Sequence, residues 1–140
     1  MSDRIETSKV FCMAPWTHLH TVPKGDVYPC CFAPESQPIG NLSEKTLKEL
    51  WNSPEMKDMR QRMLNGEKVE ACQKCYELEE AGTHSQRRFF NFHFKDHYPL
   101  VEKTNEDGQF DDFNIVYFDF RFSNMCNLKC RSCGHDLSSA

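Results

Sequence analysis

The sequence predicts a small α+β protein: a β-hairpin with short helices, then a linker, then one further strand that runs into a cysteine-rich loop. Three observations lead there. Residues 16–22 and 27–28 are rich in strand formers and flank Pro23-Lys24-Gly25-Asp26, a turn signal. Residues 43–82 carry caps, helical spacings and glycine stops. Residues 113–122, Phe-Asn-Ile-Val-Tyr-Phe-Asp-Phe-Arg-Phe, are dense in aromatic and β-branched side chains, as in a strand.

Taken in order, the hairpin covers residues 11–32, and residues 33–42, with Pro34, Pro38, Gly40 and Asn41, read as loop. Ser43 is placed to cap a short helix to Trp51, with Leu47 and Leu50 on one face. Ser53 and Pro54 then form a cap and first-turn pair, Met56, Met59 and Met63 follow at helical spacing, and Gly66 stops the helix. The methionine stripe reads as core packing. A third helix is expected from Gln73 to Ala81, ending at Gly82. Residues 95–112, with Asn105-Glu106-Asp107-Gly108, read as a linker between a unit at 1–94 and a unit at 113–140.

Composition narrows the function classes. The net charge of −4 gives no whole-chain basic field to attract nucleic acid. The basic and aromatic run Arg87-Arg88-Phe89-Phe90-Asn91-Phe92-His93-Phe94 does not outweigh it, and nucleic acid is not an expected partner. No apolar run approaches the length of a membrane span, and the polar start MSDRIETSKV is unlike a secretory signal. A cytoplasmic protein with no membrane partner is the expectation. Eight cysteines in such a chain point to metal or redox chemistry rather than to disulfides.

The cysteines fall into two groups. Cys126, Cys130 and Cys133 form C-x-x-x-C-x-x-C directly after the strand at 113–122. Such a loop can wrap three thiolates around one corner of a cubane, leaving one iron open to a small chelating molecule. Upstream, Cys12 and Cys30 bracket the hairpin, and Cys72-Gln73-Lys74-Cys75 is a C-x-x-C at a helix start, where backbone N–H groups favour thiolates. These supply four thiolates from two elements and would close a coordination shell. Spacing alone leaves zinc and iron–sulfur open at this second site.

The downstream loop resembles the signature of the radical S-adenosylmethionine superfamily, and Asn124 and Gly134 around it are similar to members of that family. Ser132 stands where the family usually carries an aromatic residue. The resemblance implies a [4Fe-4S] cluster on Cys126, Cys130 and Cys133, at the start of a (β/α) barrel that is incomplete in this chain. It also implies S-adenosyl-L-methionine on the open iron, cleaved reductively to a 5′-deoxyadenosyl radical that abstracts hydrogen from a peptide or small-molecule substrate. A flavodoxin or ferredoxin would be the reductant.

The upstream group resembles the auxiliary-cluster domains called SPASM and, in shortened form, twitch. The resemblance rests on Cys12, Gly25, Cys30, Cys72 and Cys75, with Cys12-Met13-Ala14-Pro15-Trp16, Ile39-Gly40-Asn41-Leu42 and Leu50-Trp51-Asn52-Ser53 around them. It implies a second, auxiliary [4Fe-4S] cluster. The glycine spacing selects Cys30 over its neighbour Cys31 as ligand. His18 and His20 share a strand face and are expected to pack rather than ligate. The 140 residues are expected to be part of a longer enzyme and not to cleave the cofactor alone. The alternative is a non-catalytic module that binds zinc, or an iron–sulfur centre for electron transfer.

Overall fold

The computed structural model describes residues 2–123 together with Met125, Cys126, Cys130, Arg131 and Gly134. A short helix α1 (Ser2–Glu6) precedes the segment carrying Cys12. The expected hairpin is present as β1 (His18–Thr21) and β2 (Asp26–Tyr28), antiparallel with His20 opposite Tyr28 and Thr21 opposite Val27. The residues before it differ from the expectation. Ala14–Thr17 form one helical turn, α2, because Pro15 pre-sets a helical φ and the Thr17 hydroxyl donates back to the Met13 carbonyl. Gly40–Asn41 add a two-residue strand, β3, to the far side of β2.

Helix α3 (Leu47–Trp51) starts later than the Ser43 cap implies. Thr46 takes that role. Its hydroxyl accepts from the Glu49 N–H, and the Glu49 carboxylate accepts from the Thr46 N–H at 2.7 Å, a reciprocal capping box. Helix α4 (Pro54–Asn65) starts as expected, with Ser53 accepting from Met56 N–H, and ends at Gly66, whose φ of 76° favours glycine. A 3₁₀ turn (Glu70–Cys72) leads into α5 (Gln73–Glu80). Helix α6 (Gln86–His93), capped by Ser85, occupies the basic and aromatic run, a helix not expected from the sequence.

Strand β4 (Tyr117–Phe120) lies parallel to β1, giving the sheet order β3-β2-β1-β4. The strand expected to open a separate barrel is thus an edge strand of the hairpin's own sheet. His18 faces Tyr117 across the pair and donates from Nδ1 to its carbonyl at 2.7 Å.

The stretch 95–112, read as a linker, also belongs to the packed body. It contains a 3₁₀ turn (Lys95–His97) and helix α7 (Tyr98–Val101), and it buries Val101 and Phe110. Trp16 Nε1 donates to Thr104 Oγ1 at 2.8 Å, and Asn52 exchanges two hydrogen bonds with the Phe110 backbone. One core results, built around Phe11, Met13, Trp16, Leu19, Leu50, Trp51, Met56 and Phe90. Met56, Met59 and Met63 are part of it, as their spacing predicts. Among the described residues no helix is long and apolar enough to cross a membrane.

Candidate metal centre

The four upstream cysteines come from three places in the chain. Cys12 lies just before α2, Cys30 follows β2, Cys72 ends the 3₁₀ turn, and Cys75 sits in the first turn of α5. All four line one largely apolar cavity, walled also by Met59, Met63 and Arg87. None of the described cysteines is in a disulfide. Among the described residues no three His, Cys, Asp or Glu side chains meet closely enough to hold a single metal ion. The four cysteines line a cavity rather than converge on a point.

The sulfurs are served by donors. Ala14 N–H donates to Cys12 Sγ at 3.5 Å and Phe32 N–H to Cys30 Sγ at 3.3 Å. Burial and the proximity of Cys72 push the Cys12 thiol strongly up. Burial and Cys75 push Cys72 up to about 12. Burial also raises Cys75, against the stabilising Arg87 and Gln86 backbone N–H groups at the start of α6. Cys30 is raised first by its hydrogen bond with Cys31 and then by burial. Burial disfavours the charged form of these thiols in the metal-free chain, and ligation to a cationic centre requires the thiolate, so loading releases protons. A thiolate set on apolar walls with N–H donors fits an iron–sulfur centre.

Cys31 does not line the cavity; its thiol is hydrogen-bonded with that of Cys30, and Asp119 and Arg121, around β4, also act on it. His18 and His20 do not line the cavity either. His18 is 1% exposed and stacks on Tyr117, with ring centroids 4.9 Å apart. His20 Nδ1 lies 2.8 Å from Asp119 Oδ2, a close polar contact.

The sequence reading missed the residues that fix this cavity from outside the cysteine motifs. Arg87, 8% exposed, donates to the Phe11 carbonyl at 2.9 Å and the Ser8 carbonyl at 3.0 Å. Asn91, one turn later, donates to Phe11 O and accepts from Met13 N–H at 2.8 Å. Helix α6 thereby clamps the segment that carries Cys12. The i, i+4 spacing of Arg87 and Asn91 was visible in the sequence, but their backbone partners were not.

Of the downstream cysteines, Cys126 and Cys130 are exposed, and Cys133 lies outside the described residues, as do Asn124 and Ser132.

The fold and the cavity define an α+β unit in which Cys12, Cys30, Cys72 and Cys75 are arranged around a shared, largely apolar space. The family model of SPASM, an iron-sulfur cluster-binding domain, matches residues 12–76, from Cys12 to the residue after Cys75. Residues 12–76 are therefore similar to an iron–sulfur cluster-binding domain of the SPASM kind. No curated protein and no solved structure matches the chain.

Proposed function

We propose that Cys12, Cys30, Cys72 and Cys75 hold one auxiliary [4Fe-4S] cluster, and that the chain is the N-terminal part of a radical S-adenosylmethionine enzyme. The observation that carries the first statement is the single cavity lined by Cys12, Cys30, Cys72 and Cys75, all within the matched residues. A four-iron cluster places one thiolate on each iron, so its ligands stand around a space rather than at a point. When bound, such a centre supplies one-electron transfer and a cross-link between the hairpin and α5.

The second statement rests on Cys126, Cys130 and Cys133 in their C-x-x-x-C-x-x-C spacing, and on the company SPASM domains keep. Three thiolates would hold a second [4Fe-4S] cluster and leave one iron for S-adenosyl-L-methionine. In the complete enzyme this loop would support reductive cleavage of that cofactor and hydrogen abstraction from a peptide or small molecule. The reductant would be a flavodoxin or ferredoxin.

The test is anaerobic reconstitution with iron and sulfide, followed by addition of S-adenosylmethionine to the reduced protein. A change in the electron paramagnetic resonance signal that disappears in the Cys126→Ala/Cys130→Ala/Cys133→Ala variant supports the open site. A spectrum indifferent to the cofactor, in protein holding iron at both sites, contradicts it. Colourless protein with stoichiometric zinc contradicts both statements.

A further inference from the structure

Arg87 is the buried cation on the cysteine cavity. Lys74 also lines that cavity, but its side chain is exposed and its ammonium lies over the Phe32 ring at 4.3 Å. The Arg87 guanidinium cannot swing away, because every arm is engaged. Nε donates to Glu79 Oε1 at 2.9 Å, Nη2 to Glu79 Oε2 at 2.5 Å, and Nη1 to the two carbonyls before Cys12. Glu79 is itself fixed, since Ser85 donates to its Oε1. The pair, with side chains 9% and 12% exposed, is a desolvated dipole at the wall of the site. Glu79, Ser85 and Arg87 all lie outside residues 12–76.

A centre with four thiolates gains one negative charge when a ferredoxin or flavodoxin donor gives it one electron. No bond forms or breaks and no proton is needed. A fixed cation beside it favours the reduced form, and a fixed anion opposes it, with little screening at a buried wall. Charge and hydrogen bonding around the sulfurs are recognised determinants of cluster potential.

We propose that the Glu79–Arg87 pair sets the reduction potential of the centre held by Cys12, Cys30, Cys72 and Cys75, with Arg87 raising it and Glu79 holding it down. This rests on the auxiliary-cluster reading above. Arg87 is a positioning residue in this account, with the added electrostatic role that a purely structural clamp lacks.

The experiment is a spectroscopic redox titration of the full chain carrying Cys126→Ala/Cys130→Ala/Cys133→Ala, so that one centre is observed, with iron counted in every sample. Glu79→Gln is expected to shift the one-electron reduction equilibrium tenfold towards the reduced form, about 59 mV upward. Arg87→Gln is expected to shift it at least as far the other way, and Arg87→Lys to stay near the parent. Should Arg87→Gln lose its iron, Glu79→Gln and Arg87→Lys still decide the matter. Full iron with an unmoved potential in Glu79→Gln, or shifts of the same sign in Glu79→Gln and Arg87→Gln, overturns the proposal and leaves the cluster reading standing. A parent chain that takes up no iron overturns both.

Discussion

Arg60 donates from Nη2 to the Trp51 carbonyl at 2.8 Å and at the same time lies over the indole of that residue, its guanidinium carbon 4.9 Å from the ring centroid. Its other arms reach Pro15 O at 3.0 Å and Asn52 Oδ1 at 2.9 Å, so one buried side chain ties α4 to α2 and α3. Arg60→Met would leave these buried acceptors without their donor and is expected to destabilise the fold by about 3 kcal/mol. Arg60→Lys should recover little, because one ammonium cannot span three separated acceptors. Urea unfolding of the three proteins checks this; equal midpoints for wild type and Arg60→Met would refute the role assigned to Arg60.

Gly108 has φ of 81°, and a Cβ there would lie 2.1 Å from the Lys57 carbonyl oxygen. Backbone must move to admit it. Gly108→Ala is expected to lower the melting temperature by roughly 5–10 °C, equivalent to about 2 kcal/mol. A melting temperature within a degree of wild type would mean that 104–110 is not seated against α4.

Burial lowers the His18 pKa to about 4, with the Tyr117 carbonyl pulling partly the other way. The unfolded chain takes up a proton near pH 6.5 that the folded imidazole refuses. Stability from this group is therefore complete above pH 6.5 and is lost as pH falls towards 4, by up to about 3 kcal/mol. His20, also lowered by burial, acts in the same direction. His18→Asn should flatten the decline between pH 6.5 and 4 in urea unfolding series. A variant profile with the wild-type slope would show that His18 does not titrate there.

Cys31 neighbours Cys30 but lies off the cavity. Reconstituted Cys30→Ser is expected to lose most of its upstream iron, and Cys31→Ser to keep it. The opposite ranking in an iron assay would exchange the two assignments.

Much of the fold was legible where local chemistry decides it. The turn at Pro23–Asp26, the Ser53-Pro54 start and the glycine at 66 are local signals, and each holds. The misses share a cause. The 95–112 segment contributes Val101 and Phe110 to the core, but isolated apolar residues in a polar stretch carry no periodicity to read. The pairing of β4 with β1 joins residues some hundred positions apart, which strand propensity does not encode. At the site, the cysteine spacing pointed to the four residues that share the cavity. The Glu79–Arg87 pair was hidden, because an arginine and a glutamate in a charged sequence look the same whether solvated or buried.

The most direct measurement is iron and sulfide content, with Mössbauer spectra, of the anaerobically reconstituted Cys126→Ala/Cys130→Ala/Cys133→Ala chain. About four irons per chain in a cubane, lost when Cys75→Ser is added, is the expected result. A chain that holds a single zinc ion, or no metal, with all four upstream thiols intact would contradict it.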